Sequence, residues 1–182
     1  MKKFEEKTIQ SEVLYKGKVI TLQVDEVLLP DGNKSSREIV KHPGAVAIMA
    51  ITEDKKIVLV EQYRKALERS IIEIPAGKIE PGEPPEETAR RELEEETGYT
   101  TSSLQYVQSF ATSPGFADEV IHLYFAKNIE KMDVKVALDE DEFVEVLYVT
   151  IEEMESLVIN NKIYDAKTAF AYLWLKDYMK KM

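Results

Sequence analysis

The stretch from Gly82 to Gly98 limits what this chain can fold into, because both of its ends carry helix punctuation. Gly82-Glu83-Pro84-Pro85 opens it, and proline suits a first turn, where its missing N–H has no partner to lose. Gly98 closes it, since glycine accepts left-handed backbone without a Cβ penalty. On the helix so defined, Glu92, Glu95 and Glu96 are three and four residues apart and project from one face. Like charges at that spacing repel, so the run is either a solvated acidic face, as most glutamate runs are, or a place where bound cations offset the repulsion.

Around this helix the chain reads mainly as strands. Ile20, Leu22 and Val24 alternate within a run rich in Val, Leu and Thr, and Asp31-Gly32 supplies a hairpin turn. Ala45 to Ile51, Ile57 to Val60 and Ile71 to Ile74 follow as further strands, with a turn at Glu53-Asp54. Past the helix, strands are expected at Leu104 to Phe110, Val120 to Ala126 and Phe143 to Val149, with loops at Ser113-Pro114-Gly115 and Asp139 to Glu142. Two helices end the chain: Thr150 and Glu153 form a capping-box pattern, and Asp165 caps the last.

Composition narrows the chemistry. At 182 residues the chain has room for a proper core, and one catalytic domain, with or without a small appendage, is expected. It has no cysteine, which removes disulfides, thiolate metal sites and cysteine nucleophiles, and its two histidines cannot make a three-histidine site. A metal would be held by oxygen, which favours a hard cation such as magnesium or manganese. A net charge of −10 argues against nucleic acid, whose binding needs a basic face. No run approaches the roughly 20 apolar residues of a membrane span. Met1-Lys2-Lys3-Phe4-Glu5-Glu6 lacks the apolar core of a secretory signal, so cytoplasmic residence is expected.

The segment Gly77-Lys78-Ile79-Glu80-Pro81-Gly82-Glu83, seven residues, then Arg91-Glu92-Leu93-Glu94-Glu95-Glu96-Thr97-Gly98-Tyr99 resembles the Nudix box. Its glycine, its spaced glutamate, its Arg-Glu pair and its Glu-Glu pair all fall in register. Tyr99 departs from the box's final aliphatic position, which concerns packing rather than metal ligation. The resemblance implies an α/β/α sandwich, of the α+β class, with a mixed central sheet and an N-terminal antiparallel sheet. Residues 1–43 would form that N-terminal sheet and make a homodimer; residues 44–182 would form the hydrolase domain. It also implies a magnesium site, manganese being the alternative, built from Glu92, Glu96, the backbone oxygen of Ala76 and, as a further candidate, Glu95. Arg91 reads better as a structural cation paired with Glu83 or a box glutamate than as a catalytic one. Gly77 reads as a site of close backbone approach.

The box does not choose a substrate. Pro114, sixteen residues past Gly98, resembles the marker of the family's ADP-ribose pyrophosphatase branch, although Ser-Pro-Gly is also a common turn. Arg37-Glu38-Ile39-Val40-Lys41-His42-Pro43-Gly44, Glu61-Gln62-Tyr63-Arg64 and Glu73-Ile74-Pro75-Ala76-Gly77 resemble the same branch. The likeness runs strongly from Arg37 to Gly115 and loosely at both ends. It implies hydrolysis of ADP-ribose or another ADP-sugar to AMP and ribose 5-phosphate. Arg64 would meet a phosphate, Arg37 would lie in the adenine or ribose pocket, Glu119 would hold the terminal ribose, and Lys78 would add a substrate contact. The general base would come from Asp139-Glu140-Asp141-Glu142: Glu140 first, with Glu142 second or as an additional metal ligand, and Glu95 as a further catalytic candidate. Another nucleoside diphosphate derivative as substrate, or a non-catalytic nucleotide sensor, are the rival readings. His42 and His122 read as structural histidines.

Overall fold

The computed structural model describes residues 3–134, 136 and 142–181. Two compact units emerge, Met1–Gly44 with Phe110–Val120, and Ala45–Ser109 with Ile121–Met182.

In the first unit β1 (Lys7–Lys16), β2 (Thr21–Leu28) and β3 (Lys34–Lys41) form an antiparallel sheet in that order. The β2–β3 turn is the one expected at Asp31-Gly32: Gly32 has φ 88° and donates to the Leu29 carbonyl at 2.9 Å. The alternation differs from expectation. The fully buried positions on β2 are Asp25 and Val27, of opposite parity to Ile20, Leu22 and Val24. Asp25 tolerates this because Ser11 donates to it at 2.6 Å and Gln23 at 3.0 Å. The apolar parity is left half-exposed, and β1 is exposed along its whole length. The Ser113-Pro114-Gly115 turn belongs to this unit. Ala117 N–H donates to the Ser113 carbonyl at 2.9 Å, and Val40 N–H to the Phe116 carbonyl at 2.7 Å.

The second unit contains β4 (Ala45–Ile51), β5 (Ile57–Arg64), β6 (Arg69–Glu73), β7 (Ala76–Lys78), α1 (Pro85–Thr97), β8 (Tyr99–Thr100), all but the last two residues of β9 (Ser103–Ala111), all but the first residue of β10 (Val120–Lys127), β11 (Glu130–Lys131), β12 (Val144–Val149), α2 (Ile151–Ile159) and α3 (Ala166–Lys180). Its sheet runs β12-β5-β4-β10-β9, with β6 paired to β5 and β7 to β4. β4 and β10 are parallel while β4–β5 and β5–β12 are antiparallel, so the sheet is mixed.

β4 is apolar at every position because both of its faces are covered. Val46, Ile48 and Ala50 share a core cluster with Tyr124, Ala126 and with Ala89 and Leu93 of α1. Phe125, between Tyr124 and Ala126, meets Trp174 and Tyr178 of α3 at ring distances of 5.1 and 4.8 Å. Since neighbouring side chains on a strand point to opposite faces, α1 and α3 lie on opposite sides of the sheet. This is the expected three-layer sandwich. The helix ends also follow the sequence. Gly98 has φ 72° and donates to the Glu94 carbonyl at 2.9 Å, the Thr150–Glu153 capping box is closed in both directions, and Asp165 accepts from Thr168 N–H at 3.1 Å. Tyr99, the off-pattern box residue, packs against the α1 side of the core. Among the described residues no helix is long and apolar enough to cross a membrane.

Leu93→Ala is expected to lower unfolding stability by ~2–5 kcal/mol in urea titration, because Leu93 is fully buried where sheet and helix cannot collapse onto the gap. Leu173→Ala, at a position 64% exposed, should shift it by no more than ~0.5 kcal/mol. Equal losses for both would contradict this packing.

Candidate functional site

The acidic face of α1 is turned inward. Its buried residues are Thr88, Ala89, Glu92, Leu93, Glu96 and Thr97, so two carboxylates share the stripe that holds the helix to the sheet. Glu92 is 7% exposed and Glu96 2%. A solvated surface run does not do this, since burying a charge without compensation is costly. β7 lies against them. Ala76 N–H donates to Glu96 Oε2 at 3.0 Å, and Gln62 Nε2 reaches Glu96 Oε1 at 3.5 Å. A Cβ on Gly77 would stand 1.9 Å from the Glu92 carboxyl carbon, so glycine is what lets that carboxylate occupy its place.

Arg91 ties the region together as a structural cation. Its Nε donates to Glu83 at 3.1 Å, and its Nη1 donates to both Glu92 and Glu95 at 2.8 Å. Its Nη2 also reaches the Lys78 carbonyl at 3.4 Å, so the guanidinium fastens the loop before α1 to the helix. The hydrogen bonds from Arg91 hold the Glu83 carboxyl below its ordinary value.

Burial acts in the opposite direction on the pair. It pushes Glu92 up to about 7, although Arg91 opposes it, and the charges of Glu95 and Glu142 push the same way as burial. Burial pushes Glu96 up to about 8, opposed by the Ala76 N–H and by the positive charge of Arg64, and reinforced by Glu92 and Glu142. Glu142 is therefore close enough to act on both acids. It also lines, with Gln62, Tyr63, Ser70 and Phe143, a groove of about 530 Å³.

These residues fit a hard divalent cation. Two buried carboxylates are short of positive charge, every donor is an oxygen, and Glu142 adds negative charge from the rim. Among the described residues no three acidic or histidine side chains already form a metal-holding group. Glu95, the third box acid, is engaged by Arg91.

The remaining expected residues fall as follows. Arg64, at the end of β5, gives its Nε to Glu73 Oε2 at 2.6 Å and acts on Glu96 through its charge. Lys78 ends β7, with its backbone paired to Ala45. Arg37 and Glu119 belong to the other unit. There Arg37 pairs with Glu6 at 2.6 Å and with Ser35, while Glu119 accepts from Thr112 at 2.5 Å. Glu140 lies outside the described residues. His42 Nδ1 accepts from Gly44 N–H at 3.1 Å, and His122 Nδ1 meets Ser109 Oγ at 2.7 Å, so both histidines have structural partners. Sequence reasoning did not single out Gln62, Glu73 or Lys167. Glu73 and Gln62 sat inside quoted motifs, but Lys167 lies 94 positions from the glutamate it contacts and had no local signal.

Comparison with known proteins supplies an independent line. A NUDIX domain profile matches residues 40–170, and a profile described as a nucleoside diphosphate sugar hydrolase N-terminal domain matches residues 6–40. An ADP-ribose pyrophosphatase of Bacillus subtilis is 58% identical over 97% of this chain and 97% of its own. A methanol dehydrogenase activator of Bacillus methanolicus is 57% identical over 98% of both. A crystal structure of an ADP compounds hydrolase aligns with TM-score 0.84 over 97% of this chain and 95% of its own; at 20% identity it shows a shared fold.

The raised acids set a pH dependence. Folded Glu92 and Glu96 keep protons at pH values where unfolded glutamates, with an ordinary value of 4.5, have lost them. The folded state then binds more protons, so stability is greatest below about 4.5 on this account and is lost as pH rises through about 7 to 8. Chelator-treated protein should lose roughly 5 °C or more of Tm between about pH 5 and pH 8, and Glu96→Gln should flatten the slope. A Tm that rises over that interval would count against the buried pair.

Proposed function

The chain belongs to the Nudix family, and on that premise we propose that it is a cytoplasmic hydrolase cleaving the pyrophosphate bond of ADP-ribose, or a close ADP-sugar, to AMP and ribose 5-phosphate. The observation that carries this reading is the buried Glu92–Glu96 pair beside Gly77, with Arg64 acting on Glu96 through its charge. It combines a place for a divalent cation with a guanidinium for a phosphate. The 58% identical relative named for ADP-ribose directs the choice of substrate.

Glu92, Glu96, the backbone oxygen of Ala76 and Glu95 would hold the cation, with magnesium the first choice and manganese the alternative. When bound, the cation supplies neutralisation of the pyrophosphate charge and acidification of water. The chain's own residues do the rest. Arg64 orients a phosphate, Lys78 adds a second cationic contact, Arg37 borders the adenosine and Glu119 holds the terminal ribose. Water adds across the P–O–P bridge: a new P–O bond forms at one phosphorus, the bridging bond breaks and the other phosphate leaves. The proton of that water passes to a carboxylate of the acidic loop, Glu140 first and Glu142 second. Glu142 is supported as a member of the site by its charge effect on Glu92 and Glu96. All box carboxylates are present, which favours turnover over a sensor that binds without cleaving.

A homodimer belongs to the same proposal. Ile9, Val13, Leu14 and Tyr15 are exposed on β1, an edge strand, and an uncovered apolar edge invites a second chain. Sedimentation should return twice the 20.9 kDa chain mass, and a monomer at micromolar concentration would end that part of the reading.

The function is tested by AMP release from ADP-ribose, ADP-glucose, NADH, diadenosine polyphosphates and coenzyme A, with and without magnesium. ADP-ribose should dominate and require the metal. Glu96→Gln should stay folded and lose several orders of magnitude in kcat, roughly the scale expected when metal catalysis is removed. Of Glu140→Gln and Glu142→Gln, the base should lower kcat by about 10²–10⁴ with KM little changed. Preference for another substrate would redirect the specificity argument, and nucleotide binding without release of AMP would move the chain to the sensor class.

A further inference from the structure

Arg64 and Glu73 meet in an unusual way. A guanidinium and a carboxylate usually pair through two parallel N–H···O bonds, one to each oxygen. Here, among the described residues, Arg64 reaches Glu73 only through Nε, on Oε2 at 2.6 Å. The other oxygen, Oε1, is occupied by the ammonium of Lys167. Lys167 is fixed in turn by Asp165 Oδ2 at 2.9 Å, and the same Asp165 oxygen caps α3 by accepting from Thr168 N–H at 3.1 Å. Thr168 Oγ1 accepts from Ile74 N–H at 3.1 Å, which pins this helix start to the segment directly after Glu73. Glu73 and Lys167 are buried, and Arg64 spans the boundary: its side chain is 40% exposed where that of Glu73 is 3%.

We propose that Lys167 is a positioning residue for Arg64: by occupying Glu73 Oε1 it confines Arg64 to a one-point contact through Nε and keeps the terminal amino groups of the guanidinium available for a substrate phosphate. This rests on the reading that Arg64 meets the pyrophosphate. Two charges on one carboxylate also settle the local balance. Glu73 is shared between a buried ammonium and a guanidinium, one on each oxygen. Without Lys167 the carboxylate has both oxygens for Arg64, and the two-point pair that forms turns the terminal amino groups inward. The chain thereby uses the start of its last helix to set the reach of an arginine on β5.

The test is a double-mutant cycle read through steady-state kinetics with magnesium and ADP-ribose. Lys167→Met in the otherwise native protein should raise KM about tenfold, roughly the loss of one charge-assisted contact, with kcat within about threefold. The same substitution made on top of Arg64→Ala should leave KM nearly where Arg64→Ala alone puts it, because the group being positioned is gone. Weaker competition by inorganic pyrophosphate in Lys167→Met, but unchanged competition by adenosine, would place the loss at the phosphates. A KM increase of equal size in both backgrounds, or a fall in kcat with KM unchanged, overturns the proposal. If Lys167→Met does not fold, Asp165→Asn decides: asparagine still caps the helix but gives up the charge that holds Lys167, and KM should rise about two- to threefold only when Arg64 is present. An unchanged KM in that variant also overturns it. Native protein that does not cleave ADP-ribose would remove the functional reading, and this inference with it. Native cleavage with an indifferent Lys167 would remove the inference alone.

Discussion

Two glutamates sunk against a strand with no side chain in their way are the constraint from which the rest of this structure follows. Glu92 and Glu96 cannot be solvated where they lie, and Gly77 and the Ala76 N–H are the local means of holding them there. The same stripe of α1 carries Ala89 and Leu93 into the core, so the helix cannot turn its acids outward without lifting its apolar residues out of the sheet. Hydrophobic packing thus maintains an electrostatic arrangement that the charges alone would oppose.

The compensation of those charges is divided between two kinds of cation. Arg91 serves the outer side, bridging Glu83, Glu92 and Glu95 and fastening the loop before α1. The inner side, around Glu96, has the more distant charge of Arg64 and one backbone donor, and there burial still outweighs them. The imbalance suits an ion that arrives with the substrate, since a hard cation and a pyrophosphate neutralise each other as well as the site. Arg64 is bonded to Glu73 through Nε while its charge is felt by Glu96, and the occupation of the other Glu73 oxygen by Lys167 is what, on the proposal above, sets its reach.

The sheet supplies the rigidity this needs. β4 is covered on both faces and carries β7, and with it Ala76 and Gly77, on its edge. The backbone that meets the two buried glutamates is therefore paired to a deeply buried strand, which suits a site that must hold its geometry.

Much of this was legible in the sequence, and the portion that was not has a common cause. Pro84-Pro85 and Gly98 fixed the ends of α1, Asp31-Gly32 the β2–β3 turn, and Thr150, Glu153 and Asp165 the starts of the last helices, because capping and turn chemistry act within four or five residues. The box glutamates were readable for the same reason: their spacing is a property of one helix. The parity of β2 was misread because Asp25 is buried through hydrogen bonds from Ser11 and Gln23, and residue identity alone does not show which polar group will find such partners. β7, β8 and β11 are two or three residues long, too short for any period to register. That Glu92 and Glu96 face the sheet while Glu95 faces Arg91, and that Lys167 reaches Glu73 from 94 positions away, were decided by packing. Local patterns specify which groups the chain can offer; only the closed tertiary fold, which brings distant segments within a few ångströms and removes water from between them, decides which of those groups meet.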